Sequence, residues 1–350
     1  MSDKSKKIWV EYVRTFAILG VVMLHSAAPI LYKMKYISEY YWWIGNIYDS
    51  IVRCSVPLFF MLSGYLLINR EENVSDFIKK RINKAIIPLL AWSIIYIAWR
   101  IFYEESLELS PKALWSIILS PAYNHLWFMY AIVGLYLSMP ILRGMMINLD
   151  RAHLIYFVVL WLFAYSIIPA IRLITGVVSN IDLSMFAGNV GFLVLGFLLG
   201  NINLPKNTHI KILPLLITSI GVTAYGTFWL TKNNSGIYSG YFYSYASPNV
   251  IFMSAALFVI LKHLIESCHT ISLHRITPWV YSISSASFGI YLVHPIFLML
   301  LDKGNLGFVL NSLSGNPLYF VPVTTFAVFT LSYLFTVVVK KIPIIKHIVP

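Results

Sequence analysis

The sequence predicts an all-α integral membrane protein with about ten transmembrane helices and both termini in the cytoplasm. Of its 350 residues, 59% are hydrophobic and only 11% are charged, and the mean hydropathy is +0.75. A soluble domain carries about 25% charged residues, and a soluble core of this size could not hide so much apolar surface. The same composition excludes disordered, coiled-coil, collagen-like and disulfide-scaffold classes.

Ten apolar segments are long enough to cross a bilayer as helices, which takes about 20 residues each. They lie at 9–31, 44–69, 80–102, 124–146, 153–172, 184–201, 210–231, 248–266, 278–301 and 316–340. With the N-terminus inside, seventeen Lys and Arg residues fall in cytoplasmic segments and seven in outer ones. This positive-inside bias predicts cytoplasmic termini. We expect a single membrane domain over residues 1–350, with no separate soluble domain.

The net charge of +12 is explained by this topology, so we expect no nucleic-acid partner.

The start of the chain also resembles a cleavable signal peptide, because lysines precede a short apolar run and small residues. Glu11 and Arg14 interrupt the approach to that run, so we expect the segment to be retained as the first span. Cys54 and Cys268 are predicted on opposite sides of the bilayer, without a disulfide.

The first span carries two ionisable residues on one face. Arg14 and His25 are eleven residues apart, which is about 16 Å and three full turns of an α-helix. Ionisable groups inside a membrane are costly and are therefore functional candidates. We interpret the pair as addressing the two ends of one long ligand. The alternative is that Arg14 snorkels to the interface and that His25 is a packing residue.

Three of the nine histidines are predicted in the outer third of the bilayer, namely His25, His125 and His294. A neutral imidazole, with a pKa near about 6.5, suits a general base that takes a proton from a hydroxyl. A three-histidine metal site is the competing interpretation. No pair of them has ligand spacing on one helix, so we expect no metal. His125 alone could be an interfacial residue.

The second span combines a charged pair with a proline. Asp49 and Arg53 are i,i+4 neighbours, which predicts an ion pair. Pro57 cannot donate a hydrogen bond to the Arg53 carbonyl, so the helix should kink there. A kink beside a buried cation favours a cavity, and a purely structural ion pair is the alternative. Ser63-Gly64 would permit close helix packing.

Charged and aromatic residues also mark the two membrane surfaces. The basic run at 79–84 lies at the cytoplasmic start of the third span, and either topology or a phosphate-rich cytosolic donor explains it. The outer loops near 36–43 and 238–245 are rich in Tyr, Trp and Phe. An interfacial aromatic belt explains these residues, and sugar stacking is the alternative.

Four motifs occur in order along the chain. They are Arg14-x10-His25, Val56-Pro57-Leu58-Phe59-Phe60-Met61-Leu62-Ser63-Gly64-Tyr65-Leu66-Leu67, His125-Leu126-Trp127-Phe128-Met129 with Pro140, and Phe288-Gly289-Ile290-Tyr291-Leu292-Val293-His294-Pro295. Together they resemble the membrane acyltransferase-3 family. The regions 53–66 and 125–128 look most like its enterobacterial common antigen O-acetyltransferase branch.

The resemblance implies a ten-helix enzyme of the bacterial inner membrane. Such an enzyme transfers an acyl group, usually acetyl, from acetyl-CoA to a hydroxyl of a cell-surface or lipid-linked glycan. The family's Arg and His of the first helix map onto Arg14 and His25. Its Arg-x-x-Arg motif maps onto Arg81 and Lys84, where lysine keeps the charge but loses the bidentate fork.

From this resemblance we expect specific roles for the candidate residues. Arg14, Arg81 and Lys84 are expected to hold the phosphates of acetyl-CoA. His25 is expected to act as the general base, by direct transfer or through an acyl-His25 intermediate. Arg53, with His294 or His125, is expected to orient the reacting groups or stabilise the oxyanion.

Two other function classes fit the buried charges. An exporter of a glycan or lipid-linked sugar would also need cations inside the membrane and aromatic residues outside. A membrane sensor or scaffold would leave the cell's glycans chemically unchanged. The sequence names neither the acceptor sugar nor the oligomeric state.

Overall fold

The computed structural model describes residues 8–70, 72–108, 120–178, 183–186, 188–267 and 271–350, and within them it contains helices and no strand. The helices are α1 (Ile8–Leu31), α2 (Glu39–Val52), α3 (Ser55–Ile68), α4 (Val74–Phe102), α5 (Trp127–Met146), α6 (Arg151–Leu162), α7 (Ile168–Thr175), α8 (Val190–Gly200), α9 (Thr208–Asn233), α10 (Pro248–Ser267), α11 (Ile271–Asp302) and α12 (Pro317–Lys340). A π-helical turn, Phe163–Ile167, joins α6 to α7. The prediction of an all-α membrane protein is confirmed.

Nine helical segments of the described chain are long and apolar enough to cross a membrane. They correspond to nine of the ten predicted spans. The remaining predicted span, 184–201, contains α8, whose 11 residues extend about 16 Å, roughly half of the hydrocarbon thickness. Gly188 has a φ of +84°. A helix cannot continue through that conformation, so α8 starts only at Val190.

Local side chains define where several helices begin. Ser38 accepts a hydrogen bond from the Tyr41 backbone N–H at the start of α2. Asn73 and Asp150 cap α4 and α6 in the same way. Each cap satisfies one of the amide groups that the first turn of a helix leaves without a partner.

The kink predicted in the second span is confirmed as a break in the helix. α2 ends at Val52, and α3 begins at Ser55. Pro57 stands four residues after Arg53 and has no N–H for its carbonyl, so the regular hydrogen-bond ladder is interrupted there. The break places Arg53 at the C-cap of α2.

The chain divides into two compact units. Unit 1 comprises Met1–Leu66 and Leu149–Tyr333, and unit 2 comprises Leu67–Asn148 and Leu334–Pro350. In unit 1, α1 packs against α2, α10 and α11, while α9 packs against α10 and α2. In unit 2, α4 packs against α5 and against the short 3-10 helix Ile345–Ile348.

The close packing predicted at Ser63-Gly64 is confirmed by the contact between α3 and α8. A Cβ atom on Gly64 would lie 1.9 Å from the Leu193 carbonyl oxygen. One on Gly196 would lie 2.0 Å from the Met61 carbonyl oxygen. Both obstacles are backbone atoms, which cannot move aside as a flexible side chain could. The two glycines therefore allow α3 and α8 to approach closely.

We expect Gly196→Ala to destabilise the protein by about 1–3 kcal/mol, because the added methyl group forces the two backbones apart. The measurement is chemical denaturation of the purified protein in mixed micelles. Gly221→Ala in α9 is the matched control, since a Cβ there meets nothing within 4 Å. The control should retain or slightly gain stability, because alanine favours helix over glycine. Equal effects of the two substitutions would contradict this account of the α3–α8 contact.

Candidate active site

The polar stripe of α1 faces α11. The hydroxyls of Tyr12 and Thr277 are 3.2 Å apart, and Thr15 Oγ1 donates to the Val280 carbonyl at 3.2 Å. The residue numbers of these pairs rise together along both helices, so α1 and α11 are parallel. The stripe that carries Arg14 and His25 thus lies against protein.

Arg14 contacts one residue on each of these two helices. Its Nη1 donates to Glu11 Oε2 at 2.8 Å and to Ser284 Oγ at 3.1 Å. The Ser284 hydroxyl also donates to the Glu11 carboxylate. The side chains of Arg14 and Glu11 are 26% and 22% exposed, so the ion pair is only partly screened by solvent. Sequence reasoning missed Glu11 and Ser284 as partners, although the i,i+3 spacing of Glu11 and Arg14 was a usable signal.

His25 and His294 contact each other near the other end of this interface. Their ring centroids are 4.8 Å apart, and His294 Nε2 lies 3.3 Å from His25 Nδ1. His294 is fully buried, and His25 is half-buried. The structure thus brings together two of the three predicted histidines, which are 269 positions apart in the chain, and their catalytic roles stay predictions.

The hydrogen bonds assign the protonated nitrogen on each ring. His25 Nδ1 lies 2.8 Å from the Val21 carbonyl, and His294 Nδ1 lies 2.7 Å from the Tyr291 carbonyl. A carbonyl only accepts, so each Nδ1 carries the hydrogen and each neutral ring has a bare Nε2. His294 Nε2 can then accept from His25 Nδ1–H, which agrees with their contact. His25 Nε2 has no hydrogen-bond partner among the described residues and keeps its lone pair.

The C-terminal half of α2 lies beside His25. A Cβ on Gly45 would meet Ile30, and one on Gly20 would meet Val52. α2 therefore runs antiparallel to α1, and His25, midway between positions 20 and 30, is level with the middle of the stretch from Gly45 to Val52, close to Asp49. The predicted ion pair of Asp49 with Arg53 is found in this half of α2 and at its C-cap.

Asp49 and Arg53 form the ion pair that their spacing predicts. Arg53 Nη1 donates to Asp49 Oδ1 at 3.2 Å, and Arg53 Nε donates to the Tyr243 carbonyl at 2.7 Å. The guanidinium carbon lies 4.9 Å from the Tyr243 ring centre and 5.3 Å from that of Tyr245. The Asp49 side chain is 1% exposed and that of Arg53 is 19% exposed. The Arg53 charge also acts on His25 through space.

Tyr243 completes this cluster from the loop before α10. Its hydroxyl lies 2.6 Å from Asn46 Oδ1 and 3.2 Å from Ser50 Oγ, and its side chain is buried. Asn46 Nδ2 in turn donates to the Ala224 carbonyl at 2.8 Å. The interfacial-belt interpretation therefore does not hold for Tyr243, because protein polar groups surround its hydroxyl. The burial of Tyr243 could not be predicted from the sequence, because the composition of the loop does not distinguish Tyr243 from its exposed aromatic neighbours.

His125 belongs to unit 2 and lies in the 3-10 helix Asn124–Leu126, directly before α5 and at the start of the predicted span 124–146. The ring is buried, with centroids 4.9 Å from Tyr96 and 5.7 Å from Tyr123. The Tyr123 hydroxyl donates to Glu104 Oε1 at 2.9 Å. A catalytic role for His125 stays a prediction.

Arg81 and Lys84, the residues expected to bind donor phosphates, have different surroundings within unit 2. The Arg81 guanidinium carbon lies 5.1 Å from the Phe77 ring centre and 5.9 Å from that of Tyr136, with Glu72 at 4.0 Å. Its Nε and Nη2 are buried and have no hydrogen-bond partner among the described residues. Lys84 is exposed and lines an open pocket instead.

The sequence predicts neither a metal site nor a disulfide. Among the described residues no group of three or more His, Cys, Asp or Glu side chains is placed to hold a metal ion. Cys54 is buried with a free thiol. Cys268 lies outside the described residues, so the predicted absence of a disulfide stays a prediction.

All four sequence motifs lie within the part of the chain that matches a known protein family. The family model described as "Acyltransferase domain", the acyltransferase-3 model, matches residues 7–337, nearly the whole chain. No curated protein and no solved structure matches the chain. A match of this extent, on an all-helical chain with nine segments able to cross a membrane, shows that the chain belongs to the acyltransferase-3 family of membrane acyltransferases.

Proposed function

We propose that this acyltransferase moves an acetyl group from acetyl-CoA to a hydroxyl of a cell-surface or lipid-linked glycan at the bacterial inner membrane. Membership of the family supports acyl transfer. The resemblance of regions 53–66 and 125–128 to the enterobacterial common antigen O-acetyltransferase branch supports an acetyl donor and a sugar acceptor. The observation that carries the proposal is the His25 ring, whose Nε2 has a lone pair while Nδ1 is held by Val21.

His25 Nε2 acts as the general base in this proposal. It takes the proton of the acceptor hydroxyl, and the hydroxyl oxygen attacks the carbonyl carbon of the thioester. A carbon–oxygen bond forms, the carbon–sulfur bond breaks, and the proton passes from Nε2 to the departing thiolate. If His25 attacks first, an acyl-His25 intermediate forms before the sugar hydroxyl accepts the group.

Arg53, the C-cap residue of α2, supplies a fixed positive charge. Asp49 and the Tyr243 carbonyl hold its guanidinium, so little reorganisation is needed when negative charge develops on the thioester oxygen. A preorganised cation in a partly buried site stabilises such charge more strongly than one in water. Arg53 is therefore our candidate for oxyanion stabilisation.

His294 acts through His25 as a positioning residue. Its Nε2 accepts from His25 Nδ1–H and thereby favours the tautomer that leaves His25 Nε2 bare. We expect His294→Ala to lower kcat by about tenfold, the value of one lost hydrogen bond, with an unchanged KM for acetyl-CoA. His294→Gln, which restores an acceptor, should recover part of kcat. A change in KM alone would contradict the positioning role.

Arg14, Arg81 and Lys84 stay proposed for the phosphates of acetyl-CoA. Arg14 is partly exposed but shares its charge with Glu11. The Arg81 guanidinium has two nitrogens that lack hydrogen-bond partners in the described chain, and such a group favours an anion.

The proposal is tested with the purified protein reconstituted in proteoliposomes. These contain glycan lipids from the cell that naturally makes the protein, and they receive acetyl-CoA labelled in its acetyl group. We expect labelled ester on the glycan fraction, and mass spectrometry of surface glycans should show the loss of one acetyl mass in cells that lack the protein. Transport of unmodified glycan without ester formation would instead favour an exporter. Unchanged glycans in both assays would overturn the proposal.

A further inference from the structure

Two tyrosines of unit 1 form an aromatic pair where α1 leads into the first predicted outer loop. Tyr32 follows directly after α1, and Tyr238 lies in the loop after α9. Their ring centroids are 4.9 Å apart, with an interplanar angle of 64°. Tyr32 is 64% exposed, whereas Tyr238 is half-buried. Sequence reasoning missed Tyr32, because it precedes the aromatic run at 36–43.

The pair lies close to the stripe of α1 that carries Arg14 and His25. Tyr32 is seven residues after His25, which is about two helical turns and about 10 Å along the helix axis. It is eighteen residues after Arg14, which is about five full turns. Because Tyr32 directly continues α1, helix geometry places it near the same face, on the predicted outer side of His25.

Ring contacts connect the pair to the cluster around Arg53. The ring centroids of Tyr238 and Tyr243 are 6.1 Å apart. The Arg53 guanidinium carbon in turn lies 4.9 Å from the Tyr243 ring centre. Tyr238 also packs against the buried cluster that contains Leu31 and Trp42. The pair is thus separated from the proposed oxyanion-stabilising residue by a single aromatic side chain.

Hydrogen bonds hold both parts of the pair in place. The Leu31 carbonyl, at the end of α1, accepts from Trp42 Nε1 at 3.1 Å. The Gly236 N–H donates to the Thr231 carbonyl at 2.9 Å and closes the loop before Tyr238. Gly236 has a φ of +75°, which this turn requires and which glycine adopts without strain. An aromatic surface anchored in this way loses little conformational freedom when it binds a ligand.

The chemistry of the pair favours a neutral, hydroxyl-rich ligand. An exposed aromatic face packs against the C–H face of a sugar ring, and a phenol hydroxyl both donates to and accepts from sugar hydroxyls. Two neutral side chains offer no charge with which to select an ion. Reacting atoms must approach within about 3–3.5 Å of each other, but the pair is about 10 Å from His25 along α1. A sugar ring that stacks on the pair is therefore not the ring that is acetylated.

We propose that Tyr32 and Tyr238 bind a sugar ring of the acceptor glycan, next to the ring whose hydroxyl reaches His25. The pair is then a specificity-determining site that favours an oligosaccharide over a single sugar. This inference rests on the proposed function, because it concerns the acceptor of the acyl transfer.

The first experiment measures ester formation in proteoliposomes that contain glycan lipids from the cell that naturally makes the protein. Tyr32→Ala should raise the KM for these lipids by about three- to tenfold, the value of one aromatic contact. Its kcat and its KM for acetyl-CoA should equal those of the wild type, since Tyr32 touches no reacting atom. Tyr32→Phe keeps the ring and should restore most of the acceptor KM. Tyr36→Ala is the matched control, because Tyr36 is 81% exposed in the same outer segment but lies outside the pair.

A second experiment does not depend on acyl transfer. Calorimetry measures the binding of oligosaccharide, released from the same lipids by mild acid, to each protein in phosphatidylcholine nanodiscs. Weaker binding by Tyr32→Ala, with wild-type binding by Tyr36→Ala, supports the pair as a sugar site. If this result occurs while the wild type forms no ester, it contradicts acyl transfer and not glycan binding.

Three results would overturn the proposal. The wild type could fail to bind the oligosaccharide, or Tyr32→Ala could bind it as tightly as the wild type does. An equal loss in Tyr36→Ala would show that outer tyrosines act only as a general interfacial belt. Because Tyr32 is exposed, its replacement should leave folding intact, which a normal size-exclusion profile verifies.

Discussion

His25→Ala is expected to lower kcat for acyl transfer by about 10²–10⁴-fold, the usual contribution of a general base. The substitution removes the lone pair at Nε2, the group to which our mechanism assigns the proton of the acceptor hydroxyl. The measurement is the rate of labelled ester formation in proteoliposomes that contain equal amounts of folded protein. If an acyl-His25 intermediate forms, a brief incubation without acceptor should label the wild type and not the variant.

His153→Ala is the matched control for this experiment. His153 lies in the first turn of α6, and its side chain is 66% exposed beside Asp150. Removing it deletes one imidazole from the protein without touching the contact of His25 with His294, so kcat should not change. Wild-type ester formation by His25→Ala at an equal protein level would remove His25 from the mechanism.

Arg53→Ala is expected to destabilise the folded protein by about 3–5 kcal/mol, because it leaves the Asp49 carboxylate buried without a compensating charge. Asp49 Oδ2 already has no hydrogen-bond partner among the described residues. Adding Asp49→Asn to the Arg53→Ala variant should therefore recover part of the loss, since it removes the isolated negative charge. The free energy of unfolding of the wild type, of Arg53→Ala and of the Asp49→Asn/Arg53→Ala double variant is measured by chemical denaturation in mixed micelles.

An exposed ion pair provides the control for Arg53. Lys232 and Glu39 are 3.3 Å apart, but their side chains are 60% and 57% exposed. Lys232→Ala should cost at most about 1 kcal/mol, because water and salt screen the pair. A similar cost for Lys232→Ala and Arg53→Ala would show that burial does not govern the Asp49–Arg53 pair.

Arg53→Lys separates the structural role of Arg53 from its catalytic role. Lysine keeps the positive charge for Asp49 but cannot make two directed hydrogen bonds from a planar group, as Arg53 does to Asp49 and the Tyr243 carbonyl. We expect most of the stability to be retained and kcat to fall by about tenfold or more, because the charge is no longer held at a fixed position. Wild-type kcat in Arg53→Lys would contradict the proposed oxyanion role.

The hydropathy of the chain alone determined its membrane class and nine of its spans. A bilayer core demands about 20 apolar residues with every backbone group paired, and only a helix meets both conditions locally. The break before Pro57 and the shared stripe of Arg14 and His25 are also local properties, because each follows from helix geometry within one segment. Residues 184–201 show the limit of this reasoning. Their apolar composition predicts one continuous span, but Gly188 has a positive φ, and α8 begins only at Val190.

Only the tertiary structure decided which helix faces the stripe of α1 and which aromatic residue is buried. The contact of His25 with His294 spans 269 positions, and that of Arg53 with Tyr243 spans 190. Helix periodicity states which residues share a face but not which other helix packs against it. The choice of partner helix depends on side-chain packing between helices. For this reason, only the folded structure shows which of the predicted polar residues lie together in one site.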